Sequence, residues 1–397
     1  MGGDVTLMLR GRAREVRGFE SSTPSHLVRI RSPEAQPESD FDTAIARSLE
    51  DLDTAFRAGF SKAVFVSDGA TEVDCGPNLM PHLAIIPTTF DYLAEGDVVA
   101  IEPSSKRLRS LYRRSSQHNS FLVTERCNHY CLMCSQPPRD IDDGWILDEI
   151  KEALPLVDPD TKSFAFTGGE PLTDWRGFIE LLSQCKMVLP RTAVHVLTNG
   201  RAFSDTAITK AWADVGHPQL MAGIPIYSAI DHIHDHVVQA QGAFDESVLG
   251  ILKLKDRGQR VEIRVVLHAL TTPRLVETCT WFARNLPFVD HVALMGMENT
   301  GFALANDDQL WIDPLDYQDA LAAGVEILVS AGVRVSIYNL TRCVLAPSVW
   351  PHAVQSISDW KNGYVPECAT CVEKPKCSGF FTSGKPRHSR GVKPILA

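Results

Sequence analysis

The stretch Cys127-Asn-His-Tyr-Cys131-Leu-Met-Cys134 places three cysteines at C-x3-C-x2-C spacing. Full thiolate ligation of a 4Fe–4S cluster takes four cysteines, so a compact triplet leaves one iron open to an outside ligand. The same residues could instead form part of a zinc site with His129, a redox dithiol, or a set of small buried thiols. Ligand softness and ligand number favour the iron–sulfur interpretation.

A second motif lies one strand–helix unit further along the chain. Ser163–Thr167 reads as a short buried strand, and Gly168-Gly169-Glu170-Pro171 follows it directly. Two glycines allow the backbone to bend sharply and to approach a ligand closely, and the carboxylate of Glu170 can receive an ammonium group. Such a turn is common on its own between a strand and a helix. Its position after the cysteine triplet makes it specific.

Together the two motifs resemble those of the radical SAM superfamily, in which the GGEP turn contacts the amino group of S-adenosylmethionine (SAM). The resemblance implies that Cys127, Cys131 and Cys134 hold a 4Fe–4S cluster whose open iron binds SAM. It also implies that an electron from an external donor cleaves SAM to a 5′-deoxyadenosyl radical, which abstracts a hydrogen atom from the substrate. Met133 stands where the superfamily usually has an aromatic residue, and its thioether can still pack on adenine.

Composition places the chain among ordinary globular proteins. It has 397 residues, 44% hydrophobic and 22% charged, enough for two or three domains. A net charge of −10 argues against nucleic acid as the partner. We find no membrane-spanning run and no signal-peptide pattern, and we interpret the myristoylation-like start Met1–Thr6 as a chance match. Ten clustered cysteines indicate metal binding in a reducing cytoplasm.

Residues 1–115 are predicted to form a β-rich domain of unknown role. One helix is expected near Asp42–Phe60, and Cys75 is interpreted as structural. The basic stretch Arg107–Arg114 reads as a solvated face, with docking of an acidic peptide as the alternative. The predicted strands include His26–Ile30, Lys62–Val66 and Asp97–Ile101.

Residues 116–335 alternate strand and helix, which predicts an α/β fold with a parallel sheet curved into a partial (β/α)6 barrel. Both motifs would then lie at the carboxyl ends of strands, where such barrels bind ligands. Buried helix faces are expected from Ile146, Ile150, Leu154 and Val157, and from Tyr317, Leu321, Val325 and Leu328. The predicted strands are 119–124, 163–167, 193–198, 220–226, 261–267 and 290–296.

Other residues at the carboxyl ends of strands are candidate SAM contacts. Thr198 and Asn199 follow the third strand, and Ser228 resembles a serine that touches SAM in many family members, although its Ser-x-Asp-Gly pattern is broken here. Arg264 could pair with the SAM carboxylate or form a structural ion pair. In the histidine-rich segment Asp231–His236 we favour other uses over a metal site, and its His234-Asp235 matches a pair common in the family.

Residues 336–397 are predicted to be a small iron–sulfur extension. Cys368, Cys371 and Cys377 form C-x2-C-x5-C, and Cys343 could complete four thiolates for an auxiliary 4Fe–4S cluster. Structural zinc and a thiol redox pair are the alternatives. The spacing resembles the SPASM and twitch extensions of the superfamily. Cys185 and Cys279, on amphipathic helices, are predicted core thiols.

Several further stretches resemble the radical SAM maturase of the His-Xaa-Ser system. This resemblance implies modification of a ribosomally made precursor peptide, with a second radical SAM protein as a heterodimer partner. The leading hypothesis is an oxidative crosslink; the alternatives are catalysis on a small metabolite and a non-catalytic iron–sulfur partner that binds peptide for a sister enzyme. The stretches are Thr124–Pro138, Pro190–Leu197, Arg260–His268, Asn285–Gly296 and Ser356–Lys361.

Overall fold

A computed structural model describes residues 9–69 apart from 21 and 23, and residues 80–355, 362–382 and 387–397. Three features of the sequence fall outside these ranges: Cys75, the start Met1–Thr6 and the stretch Ser356–Lys361. The described chain builds two large sheets, one in the N-terminal third and one in the barrel, with a short hairpin near the C-terminus.

The N-terminal domain is an eight-stranded mixed sheet in the order β1-β8-β7-β3-β4-β5-β6-β2. Strands β3 to β6 pair in parallel, and the remaining pairs are antiparallel. Its elements are β1 (Arg10–Arg12), β2 (Glu15–Arg17), β3 (His26–Arg31), β4 (Asp42–Ala46), α1 (Leu49–Arg57), β5 (Lys62–Val66), β6 (His82–Ile86), β7 (Val98–Glu102) and β8 (Arg107–Tyr112).

The expected helix over Asp42–Phe60 is wrong in its first part. Asp42–Ala46 is the fully buried strand β4 between β3 and β5, and periodicity alone cannot separate so short an apolar run from a helix. The helix begins only after Ser48. The Ser48 hydroxyl accepts from the Asp51 backbone N–H while the Asp51 carboxylate accepts from the Ser48 N–H, which forms a capping box.

The barrel sheet contains seven parallel strands in sequential order. All six predicted strands are present. A seventh, β15, pairs in parallel with β14 and begins at Val335, the residue where the barrel was expected to end. The strands are β9 (Asn119–Leu122), β10 (Ser163–Thr167), β11 (Ala193–Leu197), β12 (Leu220–Pro225), β13 (Arg260–Leu267), β14 (His291–Gly296) and β15 (Val335–Tyr338).

Helices cover the outer face of this sheet and bury the main core. The predicted apolar faces are confirmed, since Ile146, Ile150, Tyr317 and Leu321 are all buried. Gly258, just past α6, has a left-handed backbone that ends the helix there. The helices are α2 (Trp145–Ala153), α3 (Trp175–Val188), α4 (Thr206–Val215), α5 (Asp231–Val238), α6 (Ala243–Asp256), α7 (Leu275–Asn285), α8 (Gly301–Ala305), α9 (Asp307–Leu310) and α10 (Gln318–Ser330).

The two sheets meet where β8 leads into β9. Leu27, Val98 and Tyr112 of the N-terminal sheet belong to the same apolar cluster as the barrel core. At the margin of this contact, the Arg109 guanidinium makes two 2.7 Å hydrogen bonds to the Glu149 carboxylate on α2. A forked pair of this kind fixes orientation as well as distance.

After the barrel, β16 (Asn362–Gly363) pairs antiparallel with β17 (Phe380–Phe381). Single-turn helices at Pro366–Thr370 and Lys374–Lys376 lie between them. None of the helices in the described ranges has the length and apolar character that a membrane span requires.

Candidate functional site

The two motif loops are joined backbone to backbone. Beyond β9 and β10 the parallel pairing continues, because the Gly169 N–H donates to the Thr124 carbonyl and the Glu170 N–H donates to the Arg126 carbonyl, both at 2.8 Å. A Cβ on Gly169 would lie 1.9 Å from the Arg126 carbonyl oxygen, and one on Gly168, at φ +137°, would lie 2.3 Å from that of Thr124. Only glycine permits this contact at either position.

The Glu170 carboxylate links its own loop to the loop that follows β11. One oxygen accepts from the Leu172 N–H at 3.0 Å and from the Thr198 hydroxyl at 2.7 Å, and the other accepts from the Asn199 N–H at 2.6 Å. The residue is only 2% exposed, and burial raises the pKa of Glu170 although these three donors favour the charged form. Its contact with a SAM ammonium group stays a prediction.

Asn199 carries the connection on to the cysteine loop. Its side-chain NH2 donates to the side-chain Oδ1 of Asn128 at 2.6 Å, and its backbone carbonyl accepts from the Ser247 hydroxyl at 2.9 Å. Thr198 and Asn199, predicted as cofactor contacts, therefore gather with Glu170 beside the residue that follows Cys127. Hydrogen bonds across three successive strand ends hold this region in one arrangement.

The cysteine loop rests on the end of α5. The Tyr130 and Leu132 N–H groups donate to the Val238 and Val237 carbonyls at 3.2 and 2.9 Å. Met133 turns inward and is 6% exposed, in an apolar cluster that also contains Tyr227. The thioether therefore packs within the protein, and its contact with adenine stays a prediction.

The three thiols of the triplet are partly or largely buried. Burial raises the pKa of Cys127 to about 11, and it also raises the pKa values of Cys131 and Cys134. A thiolate in such surroundings needs a neighbouring positive charge, and coordination to a metal supplies it. The donor set therefore fits an iron–sulfur cluster. Among the described residues, no three His, Cys, Asp or Glu side chains converge on a single metal ion. Each cysteine of a 4Fe–4S cluster binds a different iron, so a cluster does not require such convergence.

Asp143, which the sequence analysis did not single out, anchors the start of the cysteine loop. Its carboxylate is 1% exposed and accepts from the Thr124 hydroxyl at 2.9 Å, the Glu125 N–H at 2.5 Å and the Arg126 Nε–H at 3.1 Å. The sequence signal was an aspartate shortly before a helix, which ordinarily indicates an N-cap. Its three partners lie 17 to 19 residues earlier and become visible only in the fold.

Ser228 and the His234-Asp235 pair shape the turn after β12. The Ser228 hydroxyl accepts from the Ile230 N–H at 3.1 Å, and His234 Nδ1 accepts from the Tyr227 N–H at 3.1 Å. The Asp235 carboxylate accepts the backbone N–H groups of Gly242 and Phe244 at the start of α6. His234 and Asp235 therefore hold the backbone of the turn after β12 and of the start of α6. A contact between Ser228 and SAM stays a prediction.

Arg264 forms the ion pair that the sequence left as its alternative role. Its Nη1 lies 2.7 Å from Glu262 Oε1 on the inner face of β13, and Nη2 lies 3.1 Å from Met295 Sδ. Glu262 also contacts His291 Nδ1 at 2.6 Å. Burial alone would raise the pKa of Glu262, but the hydrogen bond from His291 and the charge of Arg264 outweigh it and lower the pKa to about 2. A role for Arg264 at the SAM carboxylate remains a prediction.

The four C-terminal cysteines line one cavity. Cys343, which follows β15, lines it together with Cys368, Cys371 and Cys377. Backbone N–H groups of Arg342 and Ile395 donate to the Cys377 and Cys371 sulfurs, each at 3.4 Å. Hydrogen bonds of this kind to sulfur tune the potential of an iron–sulfur cluster. Burial raises the pKa values of Cys368 and Cys377, and the neighbouring thiols raise them further.

The remaining described cysteines, Cys185 and Cys279, are fully buried on α3 and α7. They are core thiols, as predicted. Both belong to the main apolar core of the barrel.

Comparisons with known proteins identify the barrel region. Residues 121–281, less than half of the chain, match the family model of the radical SAM superfamily. Members of that superfamily use SAM with a 4Fe–4S cluster, and the match covers the segment that carries both motif loops. No curated protein matches the chain.

Solved structures with a similar arrangement share low sequence identity with this chain. SuiB of Streptococcus suis bound to S-adenosylmethionine is 14% identical, with 55% of this chain and 50% of that chain covered and a TM-score of 0.43. Native anSMEcpe with bound AdoMet is 19% identical, with 55% and 63% covered and a TM-score of 0.41. Both have also been solved with peptides, the precursor peptide SuiA and the Cp18Cys peptide. The chain thus spans less than two thirds of either protein.

Proposed function

We propose that this protein is a radical SAM enzyme that modifies a ribosomally made peptide, with a His-Xaa-Ser repeat precursor as the substrate and an oxidative crosslink as the product. The observation that carries the proposal is the pairing of the Gly-Gly-Glu turn with the cysteine loop through Gly169 and Glu170. This pairing lies inside the segment that matches the superfamily.

Cys127, Cys131 and Cys134 would hold the catalytic cluster, and Gly168, Gly169 and Glu170 would border the SAM amino group. When bound, the cluster and SAM supply a 5′-deoxyadenosyl radical that abstracts a hydrogen atom from the substrate. The thiols must lose their protons on assembly, which the raised pKa of Cys127 opposes until iron is present.

The chain's own contribution is rigidity and exclusion of water. Glu170 and Asn199 hold the first three strand ends together, so the cysteine loop cannot shift relative to the glycine turn. Met133 and Tyr227 close the underside of the loop with apolar surface. A radical needs this protection, because an enclosed site prevents side reactions.

Cys343, Cys368, Cys371 and Cys377 would hold an auxiliary cluster. Such a cluster supplies an electron acceptor, which an oxidative crosslink requires after the new bond has formed. Lys374 and Lys393 line the same cavity, beside the ion pair of Arg342 and Glu373, and the positive charge of the two lysines would partly offset that of four thiolates. The proposal includes an external electron donor and a second radical SAM protein as partner.

The test is anaerobic reconstitution of the full chain with iron and sulfide, followed by reaction with SAM, a reductant and the peptide encoded beside the gene. We expect 5′-deoxyadenosine and a peptide lighter by two hydrogens, 2 Da in intact mass. A variant with alanine at Cys127, Cys131 and Cys134 should produce neither. A peptide of unchanged mass alongside full SAM cleavage would refute peptide modification and favour a small-molecule substrate.

A further inference from the structure

Arginines are concentrated at one edge of the N-terminal sheet. Strand β1 pairs with β8 on one side, and no other described strand pairs with its free side. In this register Arg10 lies opposite Arg109 and Arg12 lies opposite Arg107. Directly opposed residues of an antiparallel pair point to the same face, so all four side chains share one face of the sheet.

Three of these arginines are left without an acidic partner. Arg109 is bonded to Glu149 and Glu102, whereas Arg10, Arg12 and Arg107 are exposed. Within the described part of the chain, none of the three exposed side chains forms an ion pair. Like charges directly opposite each other destabilise a sheet, and this occurs in a chain whose net charge is −10. The arrangement therefore costs stability that acidic residues could readily have restored.

The edge lies beside the ligand-binding end of the barrel. Arg109 contacts Glu149 and stacks over Trp145, the first residue of α2, at 5.4 Å. Helix α2 begins after the cysteine loop, so its first turn marks the end of the barrel where the strands finish. Trp145 is half exposed and continues the same surface. A chain running along β1 would be directed toward that end.

We propose that this edge binds an extended acidic peptide, which adds to β1 as a further strand and presents a carboxylate at every second residue to Arg10 and Arg12, with Arg107 behind Arg12 on the same face. Main-chain hydrogen bonds to the free edge supply affinity, and the arginines select charge. Arg10 and Arg12 are two residues apart, about 7 Å along a strand, which matches alternate residues of the added peptide. The inference deepens the proposed function, since it names the part of the peptide substrate that this chain grips.

The experiment measures binding by fluorescence anisotropy with the reconstituted full-length protein. The probe is a fluorescein-labelled Ser-Glu-Val-Glu-Val-Glu-Ser peptide, compared with the same peptide carrying Lys for every Glu and with one carrying Pro for both valines. We expect the Glu peptide to bind at least tenfold more tightly than either comparison peptide. The difference from the Lys peptide should shrink as salt is raised, because exposed charges are screened.

Replacement of Arg10, Arg12 and Arg107 by Gln should weaken binding of the Glu peptide at least tenfold. The same variant should unfold at an equal or higher denaturant concentration, since it loses like-charge repulsion; a merely structural role predicts the opposite. Arg57→Gln, on α1 with a side chain 77% exposed, is the matched control and should bind as the parent protein does.

Equal binding by the triple variant and the parent, or an equal loss in Arg57→Gln, would overturn the proposal. Unweakened binding of the proline peptide would overturn strand addition. No step of the assay uses SAM or turnover. Failure of the proposed function, seen as unchanged peptide mass, is thus distinguishable from failure of this binding surface.

Discussion

Gly169→Ala tests most sharply how the two motif loops depend on each other. The added Cβ would lie 1.9 Å from the Arg126 carbonyl oxygen, whereas real Cβ contacts are at least 3.0 Å. The turn must therefore move by about 1 Å, which disrupts the hydrogen bonds from the Gly169 and Glu170 N–H groups. At about 1 kcal/mol for each bond, we expect a loss of about 2 kcal/mol in the free energy of unfolding.

The effect on SAM cleavage should be larger than the effect on stability. A displacement of about 1 Å at a catalytic site can lower the rate about 100-fold, because the reacting groups lose their alignment. The assay is chromatographic quantitation of 5′-deoxyadenosine from protein reconstituted to the same iron content as the parent.

Gly332→Ala provides the control. Gly332 has φ +78°, and its added Cβ would meet nothing within 4 Å, so that variant carries only the backbone strain of about 1 kcal/mol. It should lose some stability and keep its SAM cleavage. Retention of more than half of the parent rate by Gly169→Ala would refute the reasoning.

Three further outcomes are expected. Cys343→Ala should lower the iron content by up to one cluster per chain and leave uncoupled SAM cleavage intact, while Cys279→Ala, a buried core thiol, should keep all its iron; equal iron in both variants would exclude Cys343 as a ligand. Asp143→Asn should lower the free energy of unfolding by about 2 kcal/mol, since it weakens the carboxylate that anchors Thr124 and Arg126, and urea titration measures this. Burial lowers the pKa values of His234 and His268 to about 4, so only the unfolded chain takes up these protons between pH 6.5 and 4. As the pH falls from 6.5 to 4, the free energy of unfolding should decrease by about 1.4 kcal/mol per pH unit for each histidine. His268→Gln should flatten this slope, and an unchanged slope would contradict the assignment.

The barrel and its motif loops could be predicted because their signals are local. A buried strand followed by Gly168-Gly169 and a triplet after another strand need no knowledge of distant residues. All six predicted strands appear within two residues of their expected bounds. The seventh strand, Val335–Tyr338, is only four residues long, and so short a run has too few residues for its periodicity to separate it from a loop.

Features that depend on distant partners could not be predicted from the sequence. The partners of Glu170, the anchoring role of Asp143 and the approach of Cys343 to the other C-terminal cysteines all require the folded chain. For the same reason, the sequence could not show which arginines of the basic stretch Arg107–Arg114 form ion pairs. Arg109 and Arg114 pair with Glu149 and Asp158 of the barrel, while Arg107 stays exposed at the sheet edge.

The central claim is that three cysteines of one loop hold a cluster with an open iron. The most direct measurement is electron paramagnetic resonance of the reduced, anaerobically reconstituted protein, recorded with and without SAM, in a variant that lacks Cys343, Cys368, Cys371 and Cys377. We predict the signal of one reduced 4Fe–4S cluster, altered when SAM is added. Two results would contradict this claim: binding of zinc in place of iron by this variant, or a signal that SAM leaves unchanged.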